Sequence, residues 1–500
     1  MRRVPVHPLL LACVPVLMLW VGNRAEVTTE QALPVLGGSV LVTLVVWGLA
    51  AARTRELRSS ALIASVAVVV LGTHGYHLGL LGPAVGLALA LLLVAAAGVL
   101  VVTRLHHDER LGATTSIVNV VAIALVVANA LPLALAPSAP AAPAAVGATP
   151  DAAFVADEDA PDVWYVVLDR FPRRDVAADV LGADTGPFLT GLEARGFQVA
   201  EQARANYPKT AHSLASSLNL TTLEALAGEP GDDWQPVYRL LRDHRLGHLL
   251  TDAGYRYVHV GSWWSPTASA TTADEVVRSA GDEFADVFAS TTVLPAFRSL
   301  AGEVDAREEL RREKRDVALR QFDALAELAA APSDVPRFVF AHITLPHEPY
   351  VFEADGAWVP RDVERQRSRD DNFRRQLAYT EARATELVDA ILAGAPADRR
   401  PPVVVVQSDE GPHPEARVAQ GPAYRWDLAP DDELREKLGV LLAVHGVDVA
   451  LPEDVTPASL WPRVLADVLG AELPVPDDRT WVFPDETQLY TFLDVTDRLR

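Results

Sequence analysis

The chain has 500 residues, is 50% hydrophobic and carries a formal net charge of −22. Residues 1–136 hold eight Lys/Arg and five Asp/Glu, a net of +3, so the remainder carries −25, which argues against nucleic acid as a partner. The only cysteine, Cys13, lies in an apolar run, so the rest of the chain has no disulfide framework.

Five apolar runs crowd the first part: "LLLACVPVLMLWVG", "ALPVLGGSVLVTLVVWGLAAA", "ALIASVAVVVLG", "LGPAVGLALALLLVAAAGVLVV" and "SIVNVVAIALVVANALPLAL". Three have the roughly 20 residues a bilayer requires, and the first and third are shorter but uncharged. The run after "MRR" reads as an anchor rather than a signal peptide, because further spans follow. Five spans are expected over residues 1–136. "MRR", "ARTRELR" and "RLHHDER" then fall on one side, and "NRAEVTTE" and "THGYH" on the other. Lys/Arg excess marks the cytoplasmic face, so the C-terminal part is expected outside. Four spans with a cytoplasmic domain would put "RLHHDER" on the wrong side.

An Ala/Pro-rich stretch, assigned to residues 137–160, reads as an extended tether. Residues 161–500 are long enough for one large core. Strands are expected at "DVWYVVLD" (162–169), "YRYVHVGS" (255–262), "RFVFAHITL" (337–345) and "VVVVQS" (403–408), with later candidates in "KLGVLLAVHG" and "TWVF". Helical stretches lie between them: "PFLTGLEARGF", "TAHSLASSLNLTTLEAL", a long charged helix from about 303, and "RDDNFRRQLAYTEARATELVDAILAG". This alternation argues an α/β domain built on a largely parallel sheet with helices on both faces.

The polar residues gather at strand ends, where ligands bind in such sheets. Asp169 ends the first strand, and Asp409 and Glu410 follow "VVVVQS". Thr210 stands where "NYPKTAHS" turns from loop to helix, and His347 follows a strand in "HITLPHEPY". Carboxylates brought together repel unless they share a cation or a proton, and a metal ion is the simplest resolution. The helix start at Thr210 aims free N–H groups at any phosphoryl group there. Lys209 and His212 flank Thr210 and could neutralise phosphate charge. Each residue also has a plainer reading: Asp169 as a turn former, Thr210 as a helix cap, Ser213, Ser216 and Ser217 as packing groups. His342, inside a strand, reads first as a satisfied core histidine. Trp263 and Trp264 either line a pocket or pack.

"PDVWYVVLDRF", "NYPKTAHSLASSLN", "AHITLPHEPYVF" and "VVVVQSDEGPHP", in this order behind five spans, resemble the alkaline phosphatase and sulfatase superfamily. The resemblance is to its membrane-anchored branch, which includes lipoteichoic acid synthases and phosphoethanolamine transferases. It implies an N-terminal transmembrane bundle followed by an extracytoplasmic α/β catalytic domain of bacterial cell-envelope type. It further implies Asp169 and Asp409 as metal ligands, Thr210 as nucleophile and ligand, and His347 as the histidine facing the substrate oxyanion. The superfamily continues Asp-His-Gly after the last strand, whereas this chain has Asp-Glu-Gly. Glu410 therefore replaces an expected histidine ligand, with His413 as a conceivable substitute. An all-oxygen site of this kind would favour Mn²⁺ or Mg²⁺ over Zn²⁺ as its one divalent ion. The C/S-x-P-x-R run of true sulfatases is missing, so sulfate ester hydrolysis is not expected.

The expected function is a membrane-anchored, metal-dependent phosphotransferase or phosphodiesterase working through a phospho-threonine. The resemblance implies a lipid-linked donor and an envelope glycan acceptor at the plasma membrane. The alternatives are a simple phosphoric-ester hydrolase and a catalytically inactive envelope assembly or binding homologue.

Overall fold

A computed structural model describes residues 4–23, 27, 29–104, 108–135, 154–279, 281, 283–300 and 306–499. Most of the expected tether lies outside these residues. The chain divides into two units: residues 1–140 with 281–310, and residues 141–280 with 311–500.

The first unit is helical: α1 (His7–Gly22), α2 (Thr29–Thr54), α3 (Leu57–Gly72), the short α4 (His74–His77), α5 (Pro83–Arg104) and α6 (Asp108–Leu135). By length and composition three stretches can cross a membrane: Gln31–Thr54, Pro83–Arg104 and Glu109–Leu135. α1 and α3 are apolar but have 16 residues each, about 24 Å of helix, short of a full hydrocarbon core. Small residues let these helices approach, and polar groups tie them. His7 Nδ1 meets Ser65 Oγ at 2.6 Å, and Asn119 Oδ1 accepts from the His7 N–H at 3.0 Å. Large apolar side chains such as Leu44, Leu92 and Val120 face outward, as lipid-facing residues do. Residues 281–310, which the sequence places inside the external domain, belong to this unit instead. They contribute α12 (Glu283–Thr291) and α13 (Leu294–Leu300), numbered in chain order.

The second unit is built on a seven-stranded sheet in the order β2-β7-β6-β1-β5-β3-β4. Its strands are β1 (Val163–Leu168), β2 (Gln198–Val199), β3 (Arg256–Val260), β4 (Glu275–Val277), β5 (Arg337–Ile343), β6 (Val403–Gln407) and β7 (Leu442–His445). The five strands β6, β1, β5, β3 and β4 are mutually parallel; β7 and β2 add an antiparallel edge. Of the later strand candidates, "LLAVHG" supplies β7, whereas "TWVF" supplies β8 (Trp481–Val482), paired with β9 (Leu493–Asp494) in a separate ribbon.

Around the sheet lie α7 (Arg174–Asp179), α8 (Gly186–Glu193), α9 (Thr210–Leu218), α10 (Gln235–Arg242) and α11 (Arg245–Asp252). Further along come α14 (Ala306–Ala330), α15 (Arg361–Gln366), α16 (Arg369–Ala393), α17 (Glu415–Gln420), α18 (Asp431–Leu438) and α19 (Pro457–Leu469). Successive strand residues alternate between two cores. Tyr165, Val167, Phe338, Phe340, Val403 and Val405 pack with Leu214 and Leu218 of α9 and Trp461 of α19. Trp164, Val166, Val339, Ala341, Val404 and Val406 pack on the other face with Phe322 of α14 and Leu377 of α16. Both faces are covered, which is why the β6 stretch is apolar throughout.

Candidate active site and metal centre

The alternation that builds the core also aims the site. Asp169 is two residues beyond Val167, and Asp409 two beyond Gln407, which pairs with Val167. His342 pairs with Val167 directly across β1 and β5. All three side chains therefore leave the sheet on the α9 side. Their ligand atoms lie within 4.8 Å of one another, and all three residues are buried.

The hydrogen-bond inventory of this cluster is incomplete in an informative way. His342 Nδ1 is bonded to Thr267 Oγ1 at 3.0 Å, and Asp409 Oδ1 accepts the Arg170 N–H at 3.1 Å. Asp169 Oδ1, His342 Nε2 and Asp409 Oδ2 have no hydrogen-bond partner although buried. Burial, then the charge of Asp409, pushes Asp169 well above the usual carboxylate range. Burial and Glu410 push Asp409 up to about 6. Two buried carboxylates and an imidazole with free lone pairs fit a divalent cation, which would satisfy all three at once.

Thr210 is the first residue of α9, after Lys209 at the cap position, and its hydroxyl lies beside Asp409, where it lowers the carboxyl's pKa against burial. Ser213 is fully buried one turn on, and Ser217 Oγ is held 2.6 Å from the Tyr165 hydroxyl. Among these hydroxyls, Thr210 is the one that acts on an Asp of the cluster.

The structure does not bring Glu410 into the cluster. Its Oε1 lies 2.6 Å from Lys437 Nζ and 3.2 Å from Arg170 Nε. Burial raises its pKa, but Lys437 and Arg170 outweigh burial and hold it below the usual range. Arg170 is buried with φ of 65°, a left-handed conformation uncommon for a side chain of this size and frequent at functional sites. It also donates to Glu348 Oε2 at 2.6 Å and to His413 Nε2 at 2.9 Å. An arginine only donates, so His413 Nε2 is the acceptor, and Lys437 Nζ lies 2.9 Å from His413 Nδ1. Burial pushes Lys437 down to about 7. His413 thus belongs to the Arg170–Lys437 network rather than to the metal cluster.

His212 corrects the sequence reading. It sits two positions after Thr210, on the opposite side of α9, and is fully buried with Nε2 against the Leu489 carbonyl at 3.1 Å. Tyr207, Phe483 and Tyr490 pack around its ring, and burial pushes it down to about 3. It is a neutral core histidine. Lys209 is drawn away from Thr210 by Glu486, at 2.6 Å. His347 follows β5 with Nδ1 against the Glu348 carbonyl. Burial, then Arg170 and Lys314, hold it well below the ordinary histidine value. Its neutral tautomer, with Nδ1 donating, leaves Nε2 as an acceptor. Trp263 lies under Lys314 Nζ, 5.1 Å away, and Trp264 meets the His342 ring edge-on. A cavity of about 220 Å³ adjoins this region, lined by residues including Arg170, Glu348, Tyr350, Arg369 and His413.

The sequence reading missed His342 as a site residue, and it missed Arg170 and Lys437 altogether. The two-residue alternation Phe338, Phe340, His342 carried a signal for the first.

The sulfatase family model matches residues 161–438. The chain is similar in structure to the C-terminal periplasmic domain of EptC from Escherichia coli, at 14% identity, covering 69% of this chain and 96% of that one with a TM-score of 0.43. It is also similar to the integral membrane lipooligosaccharide phosphoethanolamine transferase EptA from Neisseria meningitidis, at 13% identity, 79% and 71% coverage and a TM-score of 0.42. A third similar structure is the lipoteichoic acid synthase LtaP from Listeria monocytogenes, at 14% identity, 66% and 79% coverage and a TM-score of 0.39. No curated protein matches the chain in sequence.

Proposed function

The chain belongs to the sulfatase family, and from that premise we propose that it is a membrane-anchored, metal-dependent phosphotransferase of the cell envelope with Thr210 as nucleophile. One observation carries the reading. The buried Asp169, His342 and Asp409 converge, each with an unpartnered polar atom, and the helix-start Thr210 hydroxyl lies beside Asp409.

A divalent ion held by Asp169, His342 and Asp409 would supply positive charge that favours the Thr210 alkoxide and the developing phosphoryl charge. The imidazole changes the expected ion, since two carboxylates with one nitrogen suit Zn²⁺ or Mn²⁺ better than an all-oxygen set does. Asp409 orients Thr210 Oγ and takes up its proton. Oγ attacks the donor phosphorus, the bond to the leaving alcohol breaks, and that alcohol receives the proton. The first N–H groups of α9 face the phosphoryl oxygens. In the second half, an acceptor hydroxyl attacks the phospho-threonine and gives its proton to His347 Nε2; the P–Oγ bond breaks, and the proton taken by His347 returns to Thr210 Oγ, so both groups end as they began. Arg170, fixed by Glu410, Glu348 and His413, adds a buried positive charge beside this path.

A lipid-linked donor and an envelope glycan acceptor suit a catalytic domain carried on membrane-type helices. Metal analysis of the full-length protein in detergent, with turnover of a chromogenic phosphodiester before and after chelation, tests the proposal. Stoichiometric metal and chelator-sensitive turnover support it; chelator-insensitive turnover, or no turnover with metal bound, contradicts it. Product analysis with glycerol present separates transfer from hydrolysis.

A further inference from the structure

Residues 281–300 lie in sequence between β4 and α14 of the α/β domain, yet they pack within the helical unit. Phe284 of α12 is buried with Val16 and Ala32, and Phe288, Leu19, Trp20 and Val35 close around them. These residues come from the C-terminal end of α1 and the N-terminal end of α2. At the turn between α12 and α13, the Val293 N–H donates to Leu71 O at 2.8 Å, near the end of α3. Gly75 of α4 is so close to α12 that an added Cβ would lie 2.6 Å from Ser290 O. α12 therefore crosses the bundle at the end that carries the α1–α2 and α3–α5 connections. α13 continues onto α5, with Ala296 buried.

The other side of this helix pair carries uncovered apolar side chains, set beside the exposed Asp286 and Ser290 of α12. Leu294, Phe297 and Leu300 are 49%, 49% and 51% exposed and recur every three residues, along one face of α13. Val287 of α12 is exposed as well, and Val85 and Leu92 of the adjoining α5 are 60% and 63% exposed. α13 thus packs on a helix long and apolar enough to cross a membrane, and both carry exposed apolar side chains. Arg298, paired with Glu309 at 3.1 Å, supplies a polar group on the same short helix.

We propose that α12 and α13 form an amphipathic hairpin seated in the lipid–water interface, with the bilayer itself as the partner of its exposed face. The catalytic domain is then tied to the membrane through residues 281–310 as well as through the chain after α6. The hairpin then lies at the end of the bundle that carries the α1–α2 and α3–α5 connections, the loops that the Lys/Arg bias assigns to the outside face.

The test uses full-length protein with Cys13→Ser, carrying Phe297→Cys or, separately, Leu294→Cys, labelled with bimane and reconstituted in phosphatidylcholine vesicles. Bimane at either position should emit blue-shifted light and be quenched by lipids spin-labelled near the head group. The same dye on Glu158→Cys should be unquenched by lipid and accessible to aqueous iodide. Water-like emission and iodide quenching at 297 and 294 would overturn the proposal. Blue-shifted emission that lipid does not quench would also overturn it, because protein would then cover the face. Neither readout depends on catalysis.

Discussion

His342 Nε2 lies 3.6 Å from Asp169 Oδ2, on the neighbouring parallel strand, while its Nδ1 is held by Thr267. The Thr267 contact fixes the ring so that the free nitrogen faces the carboxylates. This arrangement yields the first prediction. His342→Ala should weaken divalent-ion binding by about 10–100-fold, whereas Glu410→Gln should leave it within a few-fold of wild type. Isothermal calorimetry on the chelator-stripped protein reads both. Loss of binding in Glu410→Gln with retention in His342→Ala would return Glu410 to the ligand set.

Lys437 donates to Glu410 and to the Gly411 carbonyl at 2.9 Å, and it has no exposure. Lys437→Met leaves a buried carboxylate and a carbonyl short of a donor, which should cost about 3 kcal/mol. The double variant Lys437→Met/Glu410→Gln should recover part of this, because the buried charge goes with its partner. Denaturation midpoints of the four proteins form the cycle. Equal loss in single and double variants would show that the pair is not coupled.

Glu381 on α16 is pushed up to about 7 by burial and by Asp184, and its Oε1 has no partner. A carboxylate raised in the folded state keeps a proton that the unfolded chain has already released. The folded protein is therefore favoured at low pH, and this contribution is lost as pH rises from about 4.5 to about 7. Glu381→Gln should stabilise at pH 8 on the order of 1–2 kcal/mol, a linkage figure discounted for partial exposure. It should make no difference near pH 4. Thermal midpoints across that range check the sign.

Glu158 is exposed near the start of the second unit's described residues. In a Cys13→Ser background, Glu158→Cys should react with an impermeant maleimide in intact cells. Labelling only after lysis would reverse the orientation.

Much of the candidate site was legible because strand ends in a parallel sheet converge: the β-branched runs before Asp169 and Asp409 announce both strands and their common edge. Thr210 was legible from the loop-to-helix switch after Pro208. His342 needed the β1–β5 register, Val167 opposite His342, and a single sequence does not carry register. Glu410 stood beside Asp409 in sequence, but its nearest cations come from the loop after β1 and from α18. Lys437 heads the strand candidate "KLGVLLAVHG", whereas it lies near the end of α18 with its side chain fully buried. His212 followed Thr210 by two residues, a spacing that turns a helical side chain to the opposite face. The excursion at 281–310 was hidden because its helices are too short and too mixed in character to read as membrane elements.

The proposed mechanism places the phosphoryl group on Thr210. The direct measurement is intact-protein mass spectrometry after rapid mixing of the metal-loaded enzyme with a phosphodiester donor, followed by peptide mapping. One adduct is expected on Thr210, with the mass of the donor less its leaving alcohol, the phosphoryl group keeping its other ester substituent; it should be absent in Thr210→Ala with the fold retained, since a helix-start substitution costs about 0.5–2 kcal/mol, and should persist in Ser213→Ala. An adduct on Ser213, or full turnover in Thr210→Ala, would contradict it.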